Sequence, residues 1–454
     1  MGRILPAPCL YRGLISKNSS VKVIVFTGIM FLGTVFPGSA ATVDQPYSVA
    51  TWRGFTTAAV SYTFDDGCSG QFTSAIPMFD AKDFKLTLFT VTTGGMFPGW
   101  QKLADAAENG HEIASHTVTH GDLSGMNSSS QENELRNSQN AINDNIPGKQ
   151  CVTLAYPYCN TGDGSLCKKY YIASRTCSGQ VMPKSPSDFN QISSILCGST
   201  TSSRNSVAGI NGGADDAARS GGWCVYLFHG VGNDGGYSGV AVDVLQGCVD
   251  YMDDNRGKFW VESFGNVARY IKERNAVTVK EVSSTDNAFT VNVTDGLDDE
   301  IFNYPITVRR PLPQEWDTAE VTQDGKPVEY NVKDSSGTKY VSFDVVPDRG
   351  PVTISSGAVG ARVNGMREHA GVSVSTFRFT VNNRPVTVMA PGNGAEVAVS
   401  LYSPAGKMLA GGMFSRTTGS NQNVRLPSFT LTPGMCIVKI TDGNVIGTST
   451  FMIR

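Results

Sequence analysis

The sequence predicts an α/β domain followed by two small all-β, sandwich-like domains. Three observations carry this. Apolar runs alternate with amphipathic stretches from about Ala58 to Arg274, short strand-like runs replace them after Asn275, and a Gly-, Ser- and Val-rich joint precedes a last β-rich stretch from about Phe377. At 454 residues the chain has room for two or three domains. The boundaries fall at 1–41 for a leader, 50–275 for the α/β region, 277–357 for the first all-β domain and 375–454 for the second.

The leader carries Arg3, Arg12, Lys17 and Lys22, then the apolar run V-I-V-F-T-G-I-M-F-L-G-T-V-F and the small residues G-S-A-A at Gly38–Ala41. A basic start, an apolar core and a small-residue cleavage site read as a signal peptide, which predicts a secreted or cell-surface protein with no membrane span once mature. The formal net charge is -3, without a long basic or acidic block. That argues against nucleic acid as a partner and suits a neutral one such as a glycan.

Within the α/β region, A-A-V-S-Y-T-F reads as a strand and F-T-S-A-I-P-M-F-D-A-K as a helix interrupted by Pro77. K-L-T-L-F-T-V is a second strand. Trp100, Leu103, Ala104 and Ala107 recur at helical spacing, with Gly110 as C-cap. H-E-I-A-S begins a third strand, Q-E-N-E-L-R-N-S-Q-N-A-I-N-D-N-I-P-G is a polar-faced helix, C-V-T-L-A-Y and C-V-Y-L-F are buried strands, and G-N-V-A-R-Y-I-K-E-R is the closing helix. Such alternation argues a parallel α/β barrel or doubly wound sheet. Beyond it, T-V-K-E-V, F-T-V-N-V, I-T-V-R-R, K-Y-V-S-F-D-V and V-T-I-S-S are short strands between turn signals, the pattern of an antiparallel sandwich.

Eight of the ten cysteines, Cys68, Cys151, Cys159, Cys167, Cys177, Cys197, Cys224 and Cys248, fall in the α/β region. Cys9 lies in the leader and Cys436 near the end. An even count in an exported domain predicts disulfides, although eight cysteines allow 105 pairings.

The five histidines are informative because they are few. His116 and His120 stand four apart in S-H-T-V-T-H, a spacing that puts two imidazoles on one face of a helix or turn and suits a zinc ligand pair. His111, just upstream, reads as structural. Asp65 and Asp66 end the first strand in T-F-D-D-G. Carboxylates in such a turn are often mere turn formers, but these lie at a strand's C-terminal tip, where α/β barrels carry their active sites. His116, the stretch Tyr156–Tyr158 and His229 follow other strands in the same way. One carboxylate and two imidazoles leave an open position on zinc, a spare carboxylate can take a proton from water, and a distal histidine can return one to a leaving group.

These residues resemble the motifs of the polysaccharide deacetylases, the NodB-homology group of carbohydrate esterase family 4. T-F-D-D-G at Thr63–Gly67 resembles the first motif, S-H-T-V-T-H at Ser115–His120 the second, A-Y-P-Y at Ala155–Tyr158 a variant of the third, and V-Y-L-F-H-G at Val225–Gly230 the last. The resemblance implies an irregular (β/α) barrel with fewer than eight strands that removes acetyl groups from a polysaccharide. It implies Asp66, His116 and His120 as ligands of a divalent metal, zinc first, with cobalt and nickel also admitted. Asp65 would be the general base, His229 the general acid, and the backbone N–H of Tyr158 an oxyanion donor. Where many members carry an arginine in the third motif to orient the base, this chain has Ala155, and Arg175 in I-A-S-R-T is the candidate substitute. The fourth motif's Asp-Trp arrangement is not found, which leaves the partner of His229 open.

The last segment, with G-K-M-L at Gly406–Leu409 and P-G-M-C-I-V-K-I at Pro433–Ile440, resembles C-terminal sorting domains of exported enzymes, which would engage a secretion machinery. The middle sandwich could bind carbohydrate, but without a cluster of aromatics in its sequence it reads rather as a spacer or packing partner. The leading expectation is an esterase for O-acetyl groups of xylan or a similar hemicellulose. An N-acetylglucosamine-polymer deacetylase, for chitin or peptidoglycan, is the second reading. A non-catalytic glycan-binding protein on the same fold is the third.

Overall fold

A computed structural model describes residues 41–148, 150–316, 318–356 and seven strands between 374 and 453. The expected leader, apart from Ala41, lies outside the described residues. Among them no helix is long and apolar enough to cross a membrane.

Two short strands come first, β1 (Thr42–Val43) and β2 (Ser48–Val49). Then follow β3 (Ala58–Asp65), α1 (Ile76–Ala81), β4 (Thr87–Thr90), α2 (Trp100–Glu108), β5 (Glu112–Ser115), α3 (Ser128–Asn145), β6 (Thr153–Ala155), α4 (Gly164–Tyr170) and β7 (Ala173–Arg175). The region is completed by β8 (Ile195–Leu196), α5 (Val207–Ser220), β9 (Trp223–Phe228), α6 (Val242–Asp254), β10 (Phe259–Val261) and α7 (Phe264–Ala276).

These strands form one parallel sheet in the order β7-β6-β5-β4-β3-β9-β8, with β10 beside β3. All eight residues of β3 are buried, as expected of a strand covered on both faces. Its partner β9 runs along one edge, while the other edge is shared by β10 at Ala58–Val60 and β4 at Thr63–Asp65. The result is a half-barrel. It has eight strands rather than the fewer expected, because β8 and β10 are only two and three residues long and carry no periodic signal. Pro77 does not interrupt the first helix. A π turn at Gln71–Ala75 leads into α1, and Pro77 occupies its first turn, where a missing N–H costs little.

The sandwich comprises β11 (Thr278–Ser284), β12 (Ala288–Thr294), β13 (Ile306–Pro311), β14 (Ala319–Gln323), β15 (Lys326–Pro327), β16 (Tyr330–Ser335), β17 (Thr338–Val345) and β18 (Val352–Ser356). One sheet is ordered β1-β11-β12-β18-β14-β15 and the other β16-β17-β13-β2. The chain therefore contributes an edge strand to each sheet at residues 42–49 before it enters the half-barrel, a contribution that the sequence reading did not foresee. Val291, Val308, Phe343 and Ile354 of the sandwich join one apolar core with Trp52, Trp223, Phe264 and Ile271. A polar tie crosses the same seam: the Tyr270 hydroxyl donates to the Ala50 carbonyl at 2.9 Å.

Farther on, the backbone forms β19 (Val374–Val381), β20 (Arg384–Pro391), β21 (Glu396–Tyr402), β22 (Met408–Ser415), β23 (Asn421–Asn423), β24 (Gly434–Asp442) and β25 (Val445–Ile453). These pair as β20-β19-β23 and β22-β21-β24-β25.

The disulfide expectation needs correction. Cys159 and Cys177 are bonded, but Cys68, Cys151, Cys167, Cys197, Cys224 and Cys248 are free. All of these except Cys68 are buried, so they serve as small apolar residues of the core.

Candidate functional site

Parallel strands end on one rim, and that rim gathers the residues singled out from the sequence. Asp65 is the last residue of β3, His116 follows β5, Tyr156–Tyr158 follow β6, Arg175 ends β7 and His229 follows β9. Between the tips of β3 and β9, the buried Gln71 amide donates to the carbonyls of both Asp65 and His229. A lone glutamine in a helical stretch gave no sequence signal for this clamp.

Asp66 and Gly67 turn the chain off β3 at φ of 69° and 65°, the left-handed region that Asp tolerates and Gly favours. This turn aims the Asp66 carboxylate at two imidazoles. Its Oδ1 lies 3.6 Å from Nε2 of His116 and 3.5 Å from Nε2 of His120. The His pair meets through a loop rather than a helix, with Thr117 and His120 at φ of 67° and 60°. Four hydrogen bonds fix that loop: Ser115 Oγ accepts from Thr117 N, Thr117 Oγ1 from His120 N, and Glu134 of α3 from the N–H groups of Val118 and Thr119. Nδ1 of His116 donates to the Ala155 carbonyl at 2.8 Å, leaving the Nε2 lone pair free for a ligand role.

The ligand atoms of Asp66, His116 and His120 all lie within 4.8 Å of one another. Asp66 Oδ1 is buried with no hydrogen-bond partner. An orphaned carboxylate oxygen facing two available imidazole nitrogens fits a divalent cation, whose ligands would otherwise be costly to bury.

Asp65 is 3% exposed and points beside this trio. Its Oδ2 accepts from Arg175 Nη2 and stands 3.7 Å from His116 Nε2 and 4.0 Å from His229 Nε2. Its Oδ1 has no partner. Burial alone would raise this carboxyl, but Arg175, then His116 and His229, outweigh it and hold Asp65 below the usual carboxylate range. Arg175 is itself buried, bonded to Ser194 Oγ at 3.0 Å and stacked over Phe89. Arg175, the candidate named from the sequence, is thus in direct contact with Asp65. Burial lowers the pKa of His116 and His229 against the pull of Asp65 and Asp66. Nδ1 of His229 is buried and makes no hydrogen bond. Tyr158, at φ of 56°, sets its ring edge-on to His120 and is 64% exposed. His111 lies apart from the rim, accepting from Leu86 N and facing Asp80.

Residues 54–169 match the family Polysaccharide deacetylase. The chain carries a polysaccharide deacetylase domain. That family belongs to the carbohydrate esterases, a class of hydrolases. A gellan lyase of Bacillus sp is 30% identical over 327 residues, 67% of this chain and 13% of that protein. A putative polysaccharide deacetylase, YxkH, of Bacillus subtilis (strain 168) is 29% identical over 104 residues, 22% of this chain and 36% of that protein. The chain thus spans about a third or less of these curated relatives. A putative polysaccharide deacetylase from Mycobacterium smegmatis, known as a crystal structure, is 13% identical with a TM-score of 0.39, covering 52% of this chain and 98% of that one. The match spans Asp65, Asp66, His116, His120 and Tyr158, whereas Arg175 and His229 of the same rim lie beyond it.

Proposed function

We propose that the protein is a metal-dependent hydrolase that removes acetyl groups from a polysaccharide, with O-acetyl groups of xylan or a similar hemicellulose as its substrate. The observation that supports this best is the convergence of Asp66, His116 and His120 beside Asp65 and His229 on one rim. In this reading the three ligands hold a divalent ion, zinc first. When bound, that ion supplies Lewis acidity to the acyl group and the attacking water. Asp65, kept ionised by Arg175, takes the water proton on its free Oδ1. The water oxygen bonds to the acyl carbon, and the Tyr158 N–H faces the developing oxyanion. His229 gives a proton from Nε2 to the departing sugar oxygen as the acyl C–O bond breaks, leaving acetate and a free hydroxyl.

The partnerless Nδ1 of His229 favours ester over amide substrates. With no carboxylate behind it among the described residues the imidazolium is poorly held, and a sugar alkoxide needs less help in leaving than an amine does. Export of the protein, by the leader at 1–41, and a division at 50–275, 277–357 and 375–454 with the last part engaging secretion machinery, are part of the same proposal.

The test is acetate release by the purified protein, zinc-loaded and chelated, from acetylated xylan, chitin oligomers and gellan. Metal-dependent release from xylan is the expected result. Release from chitin alone would move the enzyme to the amide deacetylases, and none from any of them would overturn the proposal.

A further inference from the structure

Most large apolar side chains of the described residues are buried or half-buried. Among the described residues the exposed ones are Met96, Tyr158, Tyr237, Val242 and Val282. Their distribution is uneven. Tyr158 and Tyr237 stand edge-on to His120 and His229, at 4.7 and 5.0 Å between ring centroids, and remain 64% and 56% exposed. The carbonyl of Met96 lies against Gly67, 2.8 Å from where a Cβ would stand, and Val242 adjoins Gly232 of the loop that carries Tyr237. Only Val282, in the sandwich, is elsewhere. Two exposed aromatic rings beside the histidines of a polar site mark a contact surface for a ligand.

Tyr237 is also held with more care than an exposed ring requires for stability. Its carbonyl accepts from Gly230 N, next to His229. Asp234 takes three backbone N–H groups, from Gly70, Val231 and Gly236, and so ties the loop both to itself and to the segment after β3. Gly236 and Gly230 leave no room for a Cβ, which would meet Cys68 Sγ at 2.6 Å or Asp234 Oδ1 at 2.7 Å. The loop is preorganised, and what it presents to solvent is one aromatic face beside the proton donor.

We infer that Tyr237 is a sugar-stacking wall: the pyranose next to the acetylated one lies against its ring, opposite Tyr158, with the acetylated unit over the metal ligands between them. The inference rests on the glycan-deacetylase reading and adds a residue outside the motifs that define the domain. A tyrosine suits the task because its apolar face covers sugar C–H groups while its hydroxyl stays wet.

The test pairs turnover with binding in the full-length zinc-loaded protein, using acetylated xylan for kinetics and deacetylated xylohexaose for calorimetry. Tyr237→Ala should raise KM about five- to tenfold with kcat within twofold, and weaken xylohexaose binding by the same factor. Tyr237→Phe and Tyr237→Trp should restore both, and Val282→Ala should change neither. Unchanged binding in Tyr237→Ala overturns the wall, as does failure of the wild type to bind xylohexaose, chitohexaose or gellan. A loss in kcat alone overturns it too, and makes Tyr237 a positioning residue for His229. Tyr237-dependent binding without acetate release from any glycan would instead sink the deacetylase reading and leave the wall standing.

Discussion

Asp65 and Glu273 are both buried carboxylates, at 3% and 0% exposure, yet their surroundings push them in opposite directions. Burial would raise either one. At the tip of β3, Arg175 touches Asp65 and two imidazoles stand within 4.0 Å, so Asp65 stays ionised. On α7, at the seam with the sandwich, Glu273 has the Tyr304 N–H on Oε1 and nothing on Oε2. Burial and the nearby Asp295 push it up to about 9, and Arg269 offsets them only in part. The difference teaches that burial sets the size of the problem and the nearest cation decides its sign. The rim keeps a buried carboxylate charged, whereas the seam keeps one neutral.

The sharpest way to break the comparison is to remove the charge at the rim. Asp65→Asn should lower kcat roughly a thousandfold while zinc content, measured by elemental analysis, stays at one per chain. His116→Ala should lose the metal itself. Near-normal turnover in Asp65→Asn would refute its role as base. Removing the cation instead should expose the cost of burial: Arg175→Met should destabilise the domain by about 3–5 kcal/mol in urea unfolding, because it leaves Asp65 without a countercharge. An unchanged midpoint would mean that Arg175 does not stabilise Asp65. The Cys159–Cys177 bond comes next, closing a separation of 18 residues beside both Tyr158 and Arg175. Its reduction should cost about 3 kcal/mol and lower turnover with it, since two rim residues lose their tether. Full activity after reduction, confirmed by thiol titration, would contradict this.

Much of the rim was legible because each strand is an apolar run that stops at a polar residue, and parallel strands bring such stops to one end. Asp65, Asp66, His116 and His229 could be read that way. Arg175 could be named only as a candidate, since its place depends on β7 pairing with β6, and a three-residue strand has almost no pattern. Gln71, Glu134 and Asp234 were invisible for another reason: each acts by bonding backbone groups that distant turns bring near. The fold shows the same limit. Five sandwich strands alternate clearly, but β1 and β2 are two residues each and gain their place only through partners more than 200 residues away. The cysteine count misled because it cannot separate a bridge from a buried thiol.

Glu273→Gln turns the comparison around, predicting a gain where the rim variants predict losses. Below about pH 4.5 the carboxyl keeps its proton in folded and unfolded chains alike. Between there and about 9 the folded chain holds a proton that the unfolded chain has released. Stability must therefore fall as pH rises across that window, by about 1.4 kcal/mol per unit, and level off above it. At pH 7 the accumulated cost is about 3 kcal/mol as an upper bound. The amide keeps the oxygen that accepts from Tyr304 N, cannot ionise, and offers N–H donors toward Asp295. Denaturant midpoints should thus be higher for Glu273→Gln at pH 8, converge with the wild type near pH 5, and show the flatter slope between. Parallel curves for the two proteins would mean that Glu273 is ionised in the folded chain, and that the seam supplies a countercharge after all.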